Sequence, residues 1–373
     1  MATSPSWTAP PATRPPSDAS PVSSRLRGMP LPLWRRVPSL HDASRWRDHP
    51  IGERTWRVAQ PVTFTPYASA RPCSARCRFC SETLRTHVGG TSPDTLRPGA
   101  DYFAALRDAL SQLRGLPLSY SLSGLESTDD PDWFLRMLGT LDAASSDGVE
   151  VDERVLYSNG AGFAHEGGER LIDALSAFGL SWLELSRHHH DAEANQRIMR
   201  FRPQEPIAGN DRFERVARAL AHRLPMRWVC IVQQGGIADA ESVGTYLRWA
   251  ARHGAGTVIF REFSRLGDGY RDTGSRRYIE ANRVSIETLI EACMASPLWS
   301  EFTPTQITEG YYFWNLRLRH SSGMEVVFES SDYTAMHERH ASGDIYKLVF
   351  HANGRLCAGW SPDRDVLWDA GHG

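Results

Sequence analysis

The stretch Val62-Thr-Phe-Thr-Pro-Tyr67-Ala-Ser-Ala-Arg-Pro-Cys73-Ser-Ala-Arg-Cys77-Arg-Phe-Cys80 joins a β-type run to a loop that carries half of the chain's six cysteines. Three thiolates held in so short a loop can each bind one iron of a cubane and leave the fourth iron without a protein ligand. A closed zinc site wants four ligands, and no fourth Cys or His stands at a standard spacing from these three. Clustering of this kind also argues against a dispersed disulfide framework and points to metal chemistry in a reducing compartment, so a cytoplasmic location is expected.

Outward from that loop the sequence alternates between short β-type runs and longer helical patterns, which is the signature of βα units with a parallel sheet. The strands expected are Val62–Tyr67, Leu118–Ser123, Arg154–Ser158, Trp182–Ser186, Arg227–Val232 and Thr257–Glu262. Apolar residues spaced by three and four predict helices at Tyr102–Leu113, Trp133–Leu141, Arg170–Phe178, Phe213–His222, Val243–Arg252 and Ser285–Met294. After residue 300 the period changes. Leu316 and Leu318 are followed by Val326 and Phe328 across Ser321-Ser322-Gly323, which predicts a hairpin, and a second is expected between Ile345–Phe350 and Arg355–Trp360 around Asn353-Gly354. The domains expected are a disordered or extended segment over residues 1–50, a barrel over 51–300 and a β-hairpin cap over 301–373.

The 373 residues carry a formal net charge of −2, so no global basic field exists to hold nucleic acid or an anionic membrane, and neither is expected as a partner. Only Lys347 among the 42 basic residues is a lysine, a bias read as the mark of a GC-rich genome. No apolar run reaches membrane-spanning length, and the Pro-, Ser- and Ala-rich N-terminus lacks the apolar core of a secretion signal.

The loop resembles the CxxxCxxC cluster motif of the radical S-adenosylmethionine (SAM) superfamily, with Phe79 as the aromatic residue before the last cysteine. The resemblance implies a partial (β/α)6 TIM-type barrel with a small C-terminal β-rich cap. It also implies one [4Fe–4S] cluster on Cys73, Cys77 and Cys80, with SAM chelated by the open iron and cleaved to a 5′-deoxyadenosyl radical. Ser121-Leu-Ser123-Gly124-Leu-Glu126 is similar to the family's GGE segment, in which Glu126 would meet the SAM ammonium, while Leu125 departs from the second glycine. Tyr157-Ser158-Asn159-Gly160 is similar to the TNG segment of the third strand. Ser186 and Arg187, at the end of the fourth strand, stand where relatives touch SAM.

Candidates for catalysis are His188, Gln233 and Glu262, each at a predicted strand end. The run His188-His189-His190 is read as a polar wall, because neighbours on an extended segment alternate sides and cannot all bind one ion. The apolar lead-in to Phe260-Arg261-Glu262 is expected to pack the adenine. Cys230 and Cys293 read as buried small hydrophobes, Cys357 is ambiguous, and ligands for a second cluster are lacking. The resemblance is closest to the subgroup of the GTP-cyclising molybdenum-cofactor enzyme and the peptide maturases. The polar strand-end residues and the missing auxiliary-cluster cysteines point to a small polar substrate, such as a nucleoside, sugar or amino acid, and a flavodoxin- or ferredoxin-type electron donor is expected. The alternatives are a peptide maturase and a non-catalytic Fe–S or zinc protein.

Overall fold

The computed structural model describes residues 31–35, 43–84, 96–267 and 270–372. The expectation for the N-terminal segment therefore lies outside the described residues over 1–30 and 36–42.

In chain order the strands are β1 (Leu33–Arg35), β2 (Trp46–Ile51), β3 (Arg54–Tyr67), β4 (Leu118–Leu122), β5 (Val151–Ser158), β6 (Trp182–Ser186) and β7 (Met226–Ile231). They continue with β8 (Thr257–Arg261), β9 (Phe302–Glu309), β10 (Phe313–His320), β11 (Glu325–Ser331), β12 (Ile345–His351), β13 (Arg355–Cys357) and β14 (Val366–Asp369). All join one sheet, ordered β1-β9-β10-β11-β8-β7-β6-β5-β4-β3-β12-β13-β14, with β2 paired antiparallel to β3.

From β3 to β8 each strand lies parallel to the next, as six βα units require. The chain folds as a partial TIM-type barrel whose sheet does not close. Strands of such a sheet are covered on both faces, so even the polar Ser119 and Ser121 of β4 and Lys347 and His351 of β12 are buried. All five residues of β4 and all seven of β12 are buried.

The C-terminal β-rich part is present with both expected hairpins, and its strands join the barrel sheet at its two edges instead of standing apart from it. β11 continues the parallel run beyond β8, and β12 continues it beyond β3. Residues 46–50, assigned by sequence to the N-terminal segment, form most of β2, because their backbone groups pair with the extended first half of β3.

The crossover helices are α1 (Tyr102–Ser111), α2 (Pro131–Ser146), α3 (Ala161–Ala164), α4 (Gly168–Ala177), α5 (Ala192–Met199), α6 (Asn210–Ala221) and α7 (Ala240–Arg252). The helices α8 (Gly274–Asn282), α9 (Ile286–Met294) and α10 (Tyr333–His340) follow β8. Caps decide where several begin. Asp130 accepts from the Trp133 amide ahead of Pro131, and Asp239 and Ser242 form a reciprocal capping box at α7. Among the described residues no helix is long and apolar enough to cross a membrane.

Aromatic packing fixes α6 and α7 against the sheet. Trp228 of β7 is wholly buried and meets Phe213 of α6 edge-on at 5.1 Å and Trp249 of α7 at 4.9 Å between ring centroids. Trp228→Ala should lower the unfolding free energy by roughly 3–5 kcal/mol, read as an earlier urea midpoint with an unchanged slope. A loss under about 1 kcal/mol would show that this three-ring contact does not anchor the helices.

Candidate functional site

The loop after β3 is held by its own backbone and by the end of α5. Arg76 N donates to the carbonyls of Met199 and Arg200, Arg78 N to Ile198 and Arg202 N to Ser74, and a bridge joins Ala75 to Phe201. Asp129 accepts from Ser74 N at 2.6 Å. The position of the three cysteines is therefore set by contacts from β3, α5 and the end of β4.

Cys73, Cys77 and Cys80 line one cavity of about 320 Å3 at the carboxyl ends of the parallel strands, where barrel enzymes place their chemistry. The volume falls in the range of small-molecule sites. Burial pushes the thiols of Cys73 and Cys77 above the ordinary cysteine value, and the nearby Glu126 carboxylate adds to the effect. Two N–H groups point at the Cys73 sulfur, from Ala75 N at 3.4 Å and Asn159 Nδ2 at 3.7 Å.

Among the described residues no three His, Cys, Asp or Glu side chains converge so as to hold one metal ion. A cubane asks for a different arrangement, with each thiolate on its own iron. Three thiols of one loop facing a shared cavity, with amide donors aimed at a sulfur, fit that group.

Phe79, Gly124, Glu126, Ser158, Asn159 and Ser186 also line the cavity, as do His188 and Glu262. Glu126 is 1 % exposed. Its carboxylate accepts from Thr128 Oγ1 at 2.6 Å, Thr128 N at 3.3 Å, Ser158 Oγ at 2.8 Å and Asn159 N at 2.6 Å. Three of these donors reach Oε1 and only Asn159 N reaches Oε2, so of the roughly four acceptor sites of a carboxylate one on Oε2 is left on a residue that lines the cavity. Burial raises its pKa, and these hydrogen bonds work in the opposite direction. Burial and the charge of Glu126 together push Asp129 up to about 7.

Gly124 is required twice over. Its φ of +94° lies in the left-handed region, and a Cβ there would fall 2.0 Å from the Tyr67 ring. Tyr67 in turn donates to Glu82, another cavity residue.

His188 is almost wholly buried, and its ring meets Phe79 edge-on at 5.0 Å. Its Nδ1 accepts from Ile231 N at 3.0 Å, which leaves the proton of the neutral ring on Nε2. Burial, then the charges of Arg187 and Arg261, lower its pKa to about 3. Glu262 accepts from Arg283 and from Ile286 N at 3.0 Å, so its carboxylate caps α9 while lining the cavity.

Three residues singled out by sequence lie elsewhere. Ser123 turns its hydroxyl towards Ser121 Oγ at 3.1 Å and is absent from the cavity wall. Arg187 is buried behind the sheet, where its guanidinium bonds Asn210 and lies 4.7 Å over Phe213, and burial lowers its pKa to about 10. Gln233 is fully buried and accepts from Tyr278 OH at 2.6 Å. Strand alternation explains Arg187, because it follows the cavity-facing Ser186.

The apolar wall comes from residues other than Phe260, which itself stacks on Phe328 in the core. Phe263, Leu84 and Ile279 form a buried cluster with Phe79, Ile231 and Leu266 packed against it, and all six line the cavity. Sequence reasoning also missed Arg261 as a cavity group. It is held between Glu329 at 2.5 Å and Glu184 at 3.2 Å. His189 and His190 stack on each other at 4.3 Å and are not among the cavity residues. Cys230, Cys293 and Cys357 are fully buried on β7, α9 and β13.

No protein-family model matches the chain, and no curated protein does. Solved structures similar to it include Streptococcus suis SuiB bound to S-adenosylmethionine, with 15% identity, 81% of this chain and 61% of that one covered, and a TM-score of 0.47. Another is anSMEcpe with bound AdoMet, with 15% identity, 53% and 50% covered, and a TM-score of 0.40. A third is coproporphyrinogen III oxidase (HemN) from Escherichia coli, a radical SAM enzyme, with 12% identity, 74% and 68% covered, and a TM-score of 0.41. The chain spans about three fifths of SuiB's length.

The His188 environment fixes a pH dependence. Its folded pKa lies below the ordinary histidine value of 6.5, so the unfolded chain takes up the proton first. The stabilisation from the neutral ring is complete above about pH 6.5 and is lost as the pH falls towards 3. Urea titrations between pH 7.5 and 5 should show a smaller acid loss of stability for His188→Gln than for the parent. Equal losses would show that His188 is free to protonate in the fold.

Proposed function

We propose that the chain is a radical SAM enzyme in which Cys73, Cys77 and Cys80 hold one [4Fe–4S] cluster and the cavity receives SAM beside it. The observation that carries this reading is the opening of all three thiols of one short loop into a single cavity at the strand ends. Cluster and SAM together would supply one reductive C–S cleavage that leaves methionine and a carbon radical able to take a hydrogen atom from substrate.

This chain's own residues position, exclude and neutralise. Glu126 ties the end of β4 to the end of β5 and, through Asn159, to the sulfur of Cys73. Its Oε1 positions the cluster loop, while Oε2, which keeps an acceptor site at the cavity wall, is the group assigned to the SAM ammonium. Ser158 and Asn159 belong to the same network, and Ser186 presents a hydroxyl at the end of β6. The apolar wall of Phe79, Phe263 and Ile279 excludes water and offers a face for the adenine. His188, neutral with its proton on Nε2, acts as a hydrogen-bond donor and not as a base. Arg261 and Glu262 are held by ion pairs and give the cavity fixed charge.

In this reading the substrate is a small polar molecule, such as a nucleoside, sugar or amino acid, and its support is the set of polar side chains at the cavity. Arg261, Ser264 and Tyr333 supply polar groups there beyond those of the cluster loop. Such chemistry belongs to biosynthesis in a reducing compartment, which for this chain is the cytoplasm.

Anaerobic reconstitution should give about four irons and four sulfides per chain, and replacing Cys73, Cys77 and Cys80 together by alanine should abolish the visible absorption. With dithionite and SAM the loaded protein should release methionine and 5′-deoxyadenosine, and deuterium from a labelled substrate should appear in the latter. Stoichiometric zinc without iron, or intact SAM after reduction, would refute the reading.

A further inference from the structure

The outer side of the cluster loop is basic. Arg76, Arg78, Arg197, Arg200 and Arg202 surround an open groove of about 1000 Å3, together with Gln196 and the ring of Pro203. All five arginines are exposed. None of them forms an ion pair among the described residues. Arg78 lies 4.3 Å over the Tyr278 ring, and Arg202 Nη2 donates to the Pro72 carbonyl at 2.9 Å. Neither contact neutralises charge, so the groove concentrates positive potential on a chain whose net charge is −2.

The groove shares no lining residue with the cavity, yet the two are joined through the backbone. Arg76 and Arg78 flank Cys77 in sequence, and their amides bond the carbonyls of Ile198, Met199 and Arg200, which carry the opposite wall. A partner seated in the groove would stand one residue from a cluster thiolate while leaving the cavity free for SAM and substrate.

We infer that this arginine groove is the docking surface for an acidic one-electron carrier protein of flavodoxin or ferredoxin type. The inference rests on the radical SAM reading, in which the cluster must receive one electron from outside the chain. The carrier is oxidised by one electron and the cluster is reduced by one. Charge complementarity steers such an encounter and makes its rate fall with ionic strength. A phosphate polyanion would also find arginines attractive, but a nucleic-acid partner gives no reason for the charge to sit on the cluster loop.

The test is stopped-flow bleaching of the cluster absorption in the reconstituted full chain by reduced flavodoxin and, separately, reduced ferredoxin, at low and high salt. Photoreduced deazaflavin, uncharged and too small to need a docking surface, serves as the control. Arg197→Glu/Arg200→Glu should slow reduction by at least one carrier on the order of tenfold at low salt, with the difference closing as salt rises. The Gln/Gln pair should fall between, and deazaflavin rates should not change. Unchanged carrier rates in a variant that deazaflavin still reduces would overturn the docking surface and leave the radical SAM reading intact. So would a variant that loses only binding to a single-stranded oligonucleotide. Failure of the reduced parent to cleave SAM would instead sink the functional reading, and this inference with it.

Discussion

The carboxylate of Glu126 accepts four hydrogen bonds in a place that water barely reaches, and the geometry of the strand ends depends on it. A buried carboxylate is costly unless donors surround it, and here two come from Thr128 in its own turn and two from Ser158 and Asn159 at the neighbouring strand end. Through them β4, β5 and the cysteine loop form one unit, since Asn159 spends its amide on Ser74 and Cys73 while its backbone N–H serves Glu126. Gly124 just upstream admits Tyr67 from β3, so three successive strands meet at this point.

The fold was legible because its periodicities were clean. Trp182–Ser186 coincides with β6, and the helix expected at Val243–Arg252 lies inside α7. The short helices α5, α8 and α10 escaped because they carry too few apolar residues to show a period, only Ile279 being buried in α8 and Met336 in α10, although Asp191, Thr273 and Asp332 all cap them through side-chain oxygens. Hairpins after residue 300 were readable from their turns. Their merger with both edges of the barrel sheet was not, because partner choice between distant strands leaves no local mark.

Of the residues read at strand ends, the structure brings Ser158, Asn159, Ser186 and His188 to the cavity with the three cysteines. Arg187 and Gln233 lie outside its wall, because a strand end specifies a place and not a direction. Arg187 turns towards Asn210 and Gln233 towards Tyr278. The hydrogen bonds of Glu126 were not legible either, since Thr128 lies two residues on but Ser158 and Asn159 come from a segment 32 and 33 residues away. Glu262 shows the same pattern, with a carboxylate engaged by Arg283 and the start of α9.

The central claim is that the three-cysteine loop leaves one iron open and that SAM binds it. Electron paramagnetic resonance of the reduced, reconstituted protein tests this most directly, with SAM labelled by 15N in its amino group and 17O in its carboxylate. The account predicts a reduced-cluster signal whose g-values move when SAM is added and which shows hyperfine coupling to both labels. A signal that is identical with and without SAM, or that couples to neither label, would contradict it.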